Sequence, residues 1–162
     1  MLKGKALPQL GMDLECDSQA SHREEEAAVA LCENAAPRKD YFQERDGRRF
    51  AGTHLIIDLW GARNLDDLDV VEQALRESVA ASGATLLHIH LHHFTPNQGV
   101  SGVAVLAESH ISIHSWPERG YAALDVFMCG DARPHEAVPV LRRAFAPERI
   151  EVEEYLRGRE EA

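Results

Sequence analysis

Three side chains able to move protons or form covalent bonds fall inside one stretch, residues 100–130: the hydroxyl of Ser109, the imidazole of His114 and the thiol of Cys129. A thiol and an imidazole can act as nucleophile and base, but the sequence offers this pair no obvious third group to orient the ring, which argues against a Cys–His hydrolase. Each residue alone has a plain structural reading. Ser109 is then a turn residue, His114 a surface-strand histidine and Cys129 a small inert hydrophobe. A rival signal lies upstream, where His88, His90 and His92, with adjacent His93, set three imidazoles on one side of an alternating segment. Such a face can hold zinc or copper, with Asp58 or His54 to complete the set. At the rise of a strand the three span about 13 Å, wide for one ion. A polar sheet face therefore outweighs a non-enzymatic His-rich metal-binding protein.

Either chemistry needs a sheet to hold it. THLIIDLW at residues 53–60 alternates as a strand, with Leu55, Ile57 and Leu59 on one face. A helix follows, in which Asn64 can serve as cap, Asp66 and Asp67 suit the positive end of the dipole, and Leu68, Val71, Leu75 and Val79 form a stripe that Gly83 closes. In ATLLHIHLHHF, residues 84–94, Leu87, Ile89 and Leu91 oppose His88, His90, His92 and Phe94. The composition of TPNQG at 95–99 is that of a turn. Residues 101–107, 110–116 and 122–129 are three further strands in hairpin succession, joined between the last two by 117–120. Pro134 opens a second helix with an Ala137, Val140, Leu141, Ala144 and Phe145 stripe, and Ile150, Val152 and Leu156 mark a last strand. This order predicts an α+β fold, a two-layer sandwich of a mainly antiparallel sheet with two helices on one face.

Composition narrows the function classes. The net charge is −10, from 27 acidic against 17 basic residues, which disfavours nucleic acid and anionic membrane as partners. The 3 cysteines form no C-x-x-C pair, so neither a disulfide framework nor a zinc ribbon is suggested. With no sustained apolar run of signal or membrane-spanning length near Met1, a reducing cytoplasm is the expected compartment. Residues 1–49 are a charge-rich extension with too little apolar content to offset its ordering entropy. One short helix is predicted there, with Ser21 and Glu24 as a capping box, an apolar face at residues 27–32 and Pro37 as its end. Residues 50–162 make one domain.

The run AESHISIHSWPERGYAALDVFMCG, with E-S-H at residues 108–110, a His five residues after the Ser and a later C-G, resembles the short prokaryotic S-adenosylmethionine decarboxylase proenzymes. The likeness extends over roughly residues 50–159. It implies self-cleavage between Glu108 and Ser109: the hydroxyl attacks the preceding carbonyl, an ester forms, and elimination leaves a pyruvoyl group at position 109. By the same resemblance His114 is the processing base, Ser101 hydrogen-bonds the reacting carbonyl and Cys129 is the proton donor. Phe94 stacks adenine, Glu118 takes the ribose hydroxyls and Trp116 faces the sulfonium. The pyruvoyl carbonyl would condense with the substrate amine as a Schiff base and draw electrons from the bond to the carboxylate, with no metal expected. The product, decarboxylated S-adenosylmethionine, is the aminopropyl donor of spermidine and polyamine biosynthesis. The family also implies a homodimer, with active sites near the subunit boundary.

An undistorted strand would put Ser109 and His114 on opposite faces, so a bend near His110 is expected. Asp125 reads as structural, and Phe50 as a hydrophobic strand start rather than a second substrate ring. A pyruvoyl-dependent arginine or ornithine decarboxylase would carry the same self-cleaving residues, and the nucleoside-binding set is what favours S-adenosylmethionine.

Overall fold

The computed structural model describes residues 40–94 and 98–160. The helix expected within residues 21–37, Cys16 and Cys32, and residues 95–97 of the expected turn lie outside the described residues.

A short hairpin, β1 (Gln43–Arg45) and β2 (Arg48–Phe50), leads into β3 (Gly52–Trp60). The helices α1 (Leu68–Ala81) and α2 (Ala137–Phe145) are interspersed with β4 (Leu86–Phe94), β5 (Gln98–Leu106), β6 (Ser109–Trp116), β7 (Tyr121–Met128) and β8 (Arg149–Arg157). Strands β3 to β8 form one sheet in the order β4-β5-β6-β7-β3-β8, with every neighbouring pair antiparallel. This is the expected α+β sandwich. Alternation along β3, β6 and β7 delivers Leu55, Ile57, Leu59, Ile111, Ile113, Leu124 and Val126 to one face, where they bury against Val71 and Leu75 of α1 and Leu141 and Phe145 of α2. The opposite face of the sheet carries His54, Asp58, His110, Ser112, His114 and Asp125, and among the described residues no helix covers it.

The structure corrects four details. Asp67, not Asn64, caps α1: its carboxylate accepts the amides of Asp69 and Val70. Asn64 instead sits in the left-handed region (φ 59°) and donates its side-chain amide to the Ala144 carbonyl at 3.3 Å. Leu68 begins the helix outside its buried stripe. On β4 the register slips between Leu86 and His88, so Leu86 rather than Leu87 joins Ile89 and Leu91 against the core, and Leu87 is left 63% exposed. Finally, residues 40–50 belong to the compact unit that runs from Asp40, although the composition of the tract assigns 40–49 to an extension.

Among the described residues no helix is long and apolar enough to cross a membrane. The layer packing makes a simple demand. Ile57→Ala should lower the unfolding free energy by about 2–5 kcal/mol in urea titrations, whereas Leu87→Ala should stay within about 0.5 kcal/mol.

Candidate active site

Strands β5 and β6 are joined by the shortest of hairpins, in which Leu106 pairs with Ser109 across Ala107 and Glu108. Closing the chain that tightly puts Glu108 at φ 60°, a left-handed conformation that costs a non-glycine residue about 1–2 kcal/mol. The turn is tethered on one side by the Ala107 amide, which donates to the Thr85 carbonyl at 3.0 Å. On the other side stands Cys129, the first residue past β7. Its thiol donates to the Glu108 carbonyl at 3.0 Å, its amide donates to Ser109 Oγ at 3.3 Å, and its sulfur lies 3.7 Å from that hydroxyl. Ser109 is 8% exposed. The hydroxyl, the carbonyl it precedes in chemistry and a polarising thiol are thus gathered in one corner.

The other residues singled out from the sequence meet elsewhere. Phe94 at the end of β4, Gly99 and Ser101 on β5, and His114, Ser115 and Trp116 on β6 line a pocket of about 580 Å³ together with Glu118 of the 3-10 turn Pro117–Arg119. Ser101 Oγ and His114 Nδ1 share a hydrogen bond of 2.9 Å, because the two residues are direct partners in the β5–β6 register. Gly99 lets β5 approach β6 at the pocket floor, since a Cβ there would come 1.9 Å from the Ser115 carbonyl oxygen. In that space the Ser115 hydroxyl donates to Leu65 O and accepts from the Val100 amide, both at 2.7 Å. The rim is aromatic. Trp116 stacks on Tyr121 at 5.3 Å, Tyr121 lies 4.4 Å from Trp60, and Arg149 sits over Trp60 at 5.2 Å.

The expected bend near His110 does not occur. Pairing of β6 runs without a register shift from Ser109 to His114 on the β5 side and from His110 to Trp116 on the β7 side. Ser109 therefore faces the helices and His114 the open face, separated along the strand by about 17 Å. Within one chain, Ser101 is equally remote from the Glu108 carbonyl, whose donor is the Cys129 thiol.

Between the two groups lies a network built on Asp125, which reads as structural from the sequence, and His54, a candidate there only for completing a metal set. Asp125 accepts the Ser112 hydroxyl at 2.8 Å and faces His54 Nε2 at 3.4 Å, an ion-pair distance without hydrogen-bond geometry. Arg157 reaches His54 Nδ1 at 3.0 Å, and the His54 ring meets those of His110 and Phe127 edge-on at 6.2 and 5.8 Å. Burial, then the neighbouring His54, lowers the pKa of His110, against the opposing pull of Asp125. The cross-strand register alone makes this cluster, since His54, Phe127 and His110 are successive neighbours across β3, β7 and β6. Only the period-two placement of these residues on one face was visible beforehand. His88, His90 and His92 remain exposed along the edge strand β4, and among the described residues no group of three or more His, Cys, Asp or Glu side chains is arranged to hold a metal ion.

Comparison with known proteins adds an independent finding. The family model described as S-adenosylmethionine decarboxylase matches residues 53–158. An S-adenosylmethionine decarboxylase proenzyme of Thermomicrobium roseum is 53% identical over 108 residues, covering 66% of this chain and 93% of the relative. One of Methanococcus maripaludis is 52% identical over 110 residues, covering 66% and 89%. The crystal structure of the adenosylmethionine decarboxylase from Aquifex aeolicus superposes with a TM-score of 0.61 at 32% identity, covering 67% of this chain and 92% of that one.

The lowered pKa of His110 has a readable consequence. The unfolded chain takes up a proton on this ring at a higher pH than the folded chain does, so acidification through about pH 6.5 destabilises the fold. The urea midpoint of His110→Asn should accordingly fall less than that of the parent between about pH 7.5 and about pH 5.5.

Proposed function

The chain belongs to the S-adenosylmethionine decarboxylase family, and on that premise we propose that it is a self-processing, pyruvoyl-dependent enzyme that decarboxylates S-adenosylmethionine in the cytoplasm as a homodimer. The observation that carries this reading is the corner at Glu108, where a left-handed residue directs its carbonyl at a thiol and the following hydroxyl is held beside it. Strain at Glu108 and the thiol hydrogen bond both act on the bond to be broken. Ser109 Oγ adds to the Glu108 carbonyl carbon, the amide C–N bond breaks, and an ester links the two residues. Removal of the Ser109 α-proton then releases Glu108 as a chain-terminal carboxylate, and the unsaturated residue left behind exchanges its nitrogen, as ammonia, for a water oxygen. The residues present fit this group: Ser109 is buried, backed by a rigid strand and beside an acid.

Once formed, the pyruvoyl group supplies a keto carbon that binds the substrate amine and accepts the electrons freed by loss of carbon dioxide. The chain's own residues do the rest. Cys129, beside position 109, returns a proton to the substrate carbon. In the pocket, the exposed faces of Phe94 and Trp116 take the adenine and the sulfonium, and Glu118 takes the ribose hydroxyls.

His114 is the base, with Ser101 orienting its ring through Nδ1. Its placement on the opposite face from Ser109 supports a two-subunit site, in which the partner subunit's His114 serves Ser109 of the first. A two-fold axis exchanges any two positions of an isologous interface, so one contact would complete both sites. The uncovered sheet face suits such an interface, since Phe94, Val105, Trp116 and Tyr155 are all exposed and large.

Intact mass under denaturing conditions tests the whole reading. Wild type should yield two pieces divided after Glu108, and Ser109→Ala one; wild type that stays whole and ignores phenylhydrazine ends the enzyme assignment. Co-expression separates the arrangements. His114→Ala alone should stay uncleaved, but its chain should be cut when paired with Ser109→Ala, and failure of that rescue would return His114 to its own subunit.

A further inference from the structure

We infer that the hairpin of residues 40–50, which precedes the family match at residues 53–158, is part of the catalytic apparatus, with Gln43 as a positioning residue that fixes the Cys129–Gly130 turn and hence the thiol. The inference rests on the role proposed for Cys129.

The sheet ladder stops one residue short of that thiol, with Met128 paired to Thr53. What holds the chain beyond it is the hairpin. The Gly130 amide donates to Tyr41 O at 2.9 Å, and Gln43 Nε2 donates to Gly130 O at 2.5 Å. Both backbone polar groups of the residue after Cys129 are therefore bound by residues 41 and 43. Gly130 makes the turn at φ 61°, and a Cβ there would lie 3.2 Å from the Tyr41 ring, so the seat is close. The Gly130 carbonyl can only accept, which assigns it the Nε2 end of the Gln43 amide and leaves Oε1 to accept the buried Thr53 hydroxyl at 3.3 Å.

The hairpin is itself anchored, as a positioning element must be. Phe50 is 2% exposed with the Arg45 guanidinium over its ring at 5.6 Å, and Arg45 pairs with Glu154 of β8, which also meets His135 at 2.8 Å. The Arg45 partner holds the Glu154 carboxyl below the usual carboxylate range, with a further contribution from His135. Arg49 pairs with Asp40 and Glu160, and the Glu160 amide donates to Arg49 O at 3.0 Å. Cys129 is thus gripped between a strand end and an anchored hairpin, with its own amide committed to Ser109 Oγ. Gln43 touches neither the scissile bond nor the pocket. It acts through Gly130.

The test uses the full chain and two readouts. In the wild-type background, Gln43→Ala should slow self-cleavage, followed by intact mass, about three- to tenfold, the worth of one hydrogen bond. Gln43→Glu keeps the shape but replaces the donor with a carboxylate against the Gly130 carbonyl, and should slow it more. In the uncleavable Ser109→Ala background, iodoacetamide alkylation of Cys129, read on its peptide by mass spectrometry, should quicken by a similar factor in both variants, with the thermal midpoint within two degrees of the parent. Val140→Ala, which loosens the helix layer without touching the hairpin or Gly130, controls for stability. Cleavage and alkylation both unchanged within twofold would overturn the inference. So would slowing that tracks the thermal midpoint equally in Val140→Ala and Gln43→Ala. Wild type that never cleaves would end the proposed function, while the alkylation arm would still read the Gln43 link.

Discussion

The constraint on which this structure depends is the closure of β5 onto β6 through only Ala107 and Glu108. A two-residue connection between twisted antiparallel strands calls for positive φ, a demand that glycine meets without cost and glutamate does not. The φ of 60° at Glu108 is held because the strands on either side are held, β6 being paired along its length by β5 and β7. With the turn fixed, the Glu108 carbonyl has one orientation, and the thiol of Cys129 is there to meet it. Strain, nucleophile and donor are consequences of one hairpin placed beside the end of one strand.

The two faces of the sheet divide the labour. The helix-covered face supplies the rigidity that a strained turn needs, through a core in which side chains from four strands and both helices are fully buried. The open face carries the polar and aromatic groups. A row of rings runs from Trp60 through Tyr121 to Trp116 at the pocket edge. The hydrogen bond to Asp58 pushes the pKa of the Tyr121 hydroxyl up to about 12. Because alternation sets Ser109 and His114 on different faces, the two groups stand apart within one chain.

The anchored hairpin shows how residues outside a family's matched length can hold a chain segment inside it. Cys129 and Gly130 fall where the sheet ladder ends, and a chain leaving a ladder must find new partners for its polar groups. Tyr41 and Gln43 provide them, so the end of β7 is continued by a segment far away in sequence.

Much was legible from residue types and spacing alone. Period-two alternation found β3 to β8 and the helical stripes found α1 and α2, while the E-S-H, His and C-G pattern singled out Ser109, His114 and Cys129, of which the fold brings Ser109 and Cys129 together. Local chemistry was less decisive at the edges: Asp67 took the cap from Asn64, and a bulge at Leu87 shifted which leucine is buried, because such choices differ by about 1 kcal/mol and packing settles them. The pairing of Ser101 with His114, the His54, His110 and Asp125 network, the hold of Gln43 on Gly130, and the separation of Ser109 from His114 were decided by tertiary structure alone. Sequence specifies what repeats along the chain, since a period of two or of 3.6 is a local property of the backbone. Which residue stands opposite which across a sheet depends on strand order and register, and those are fixed only when the whole core closes.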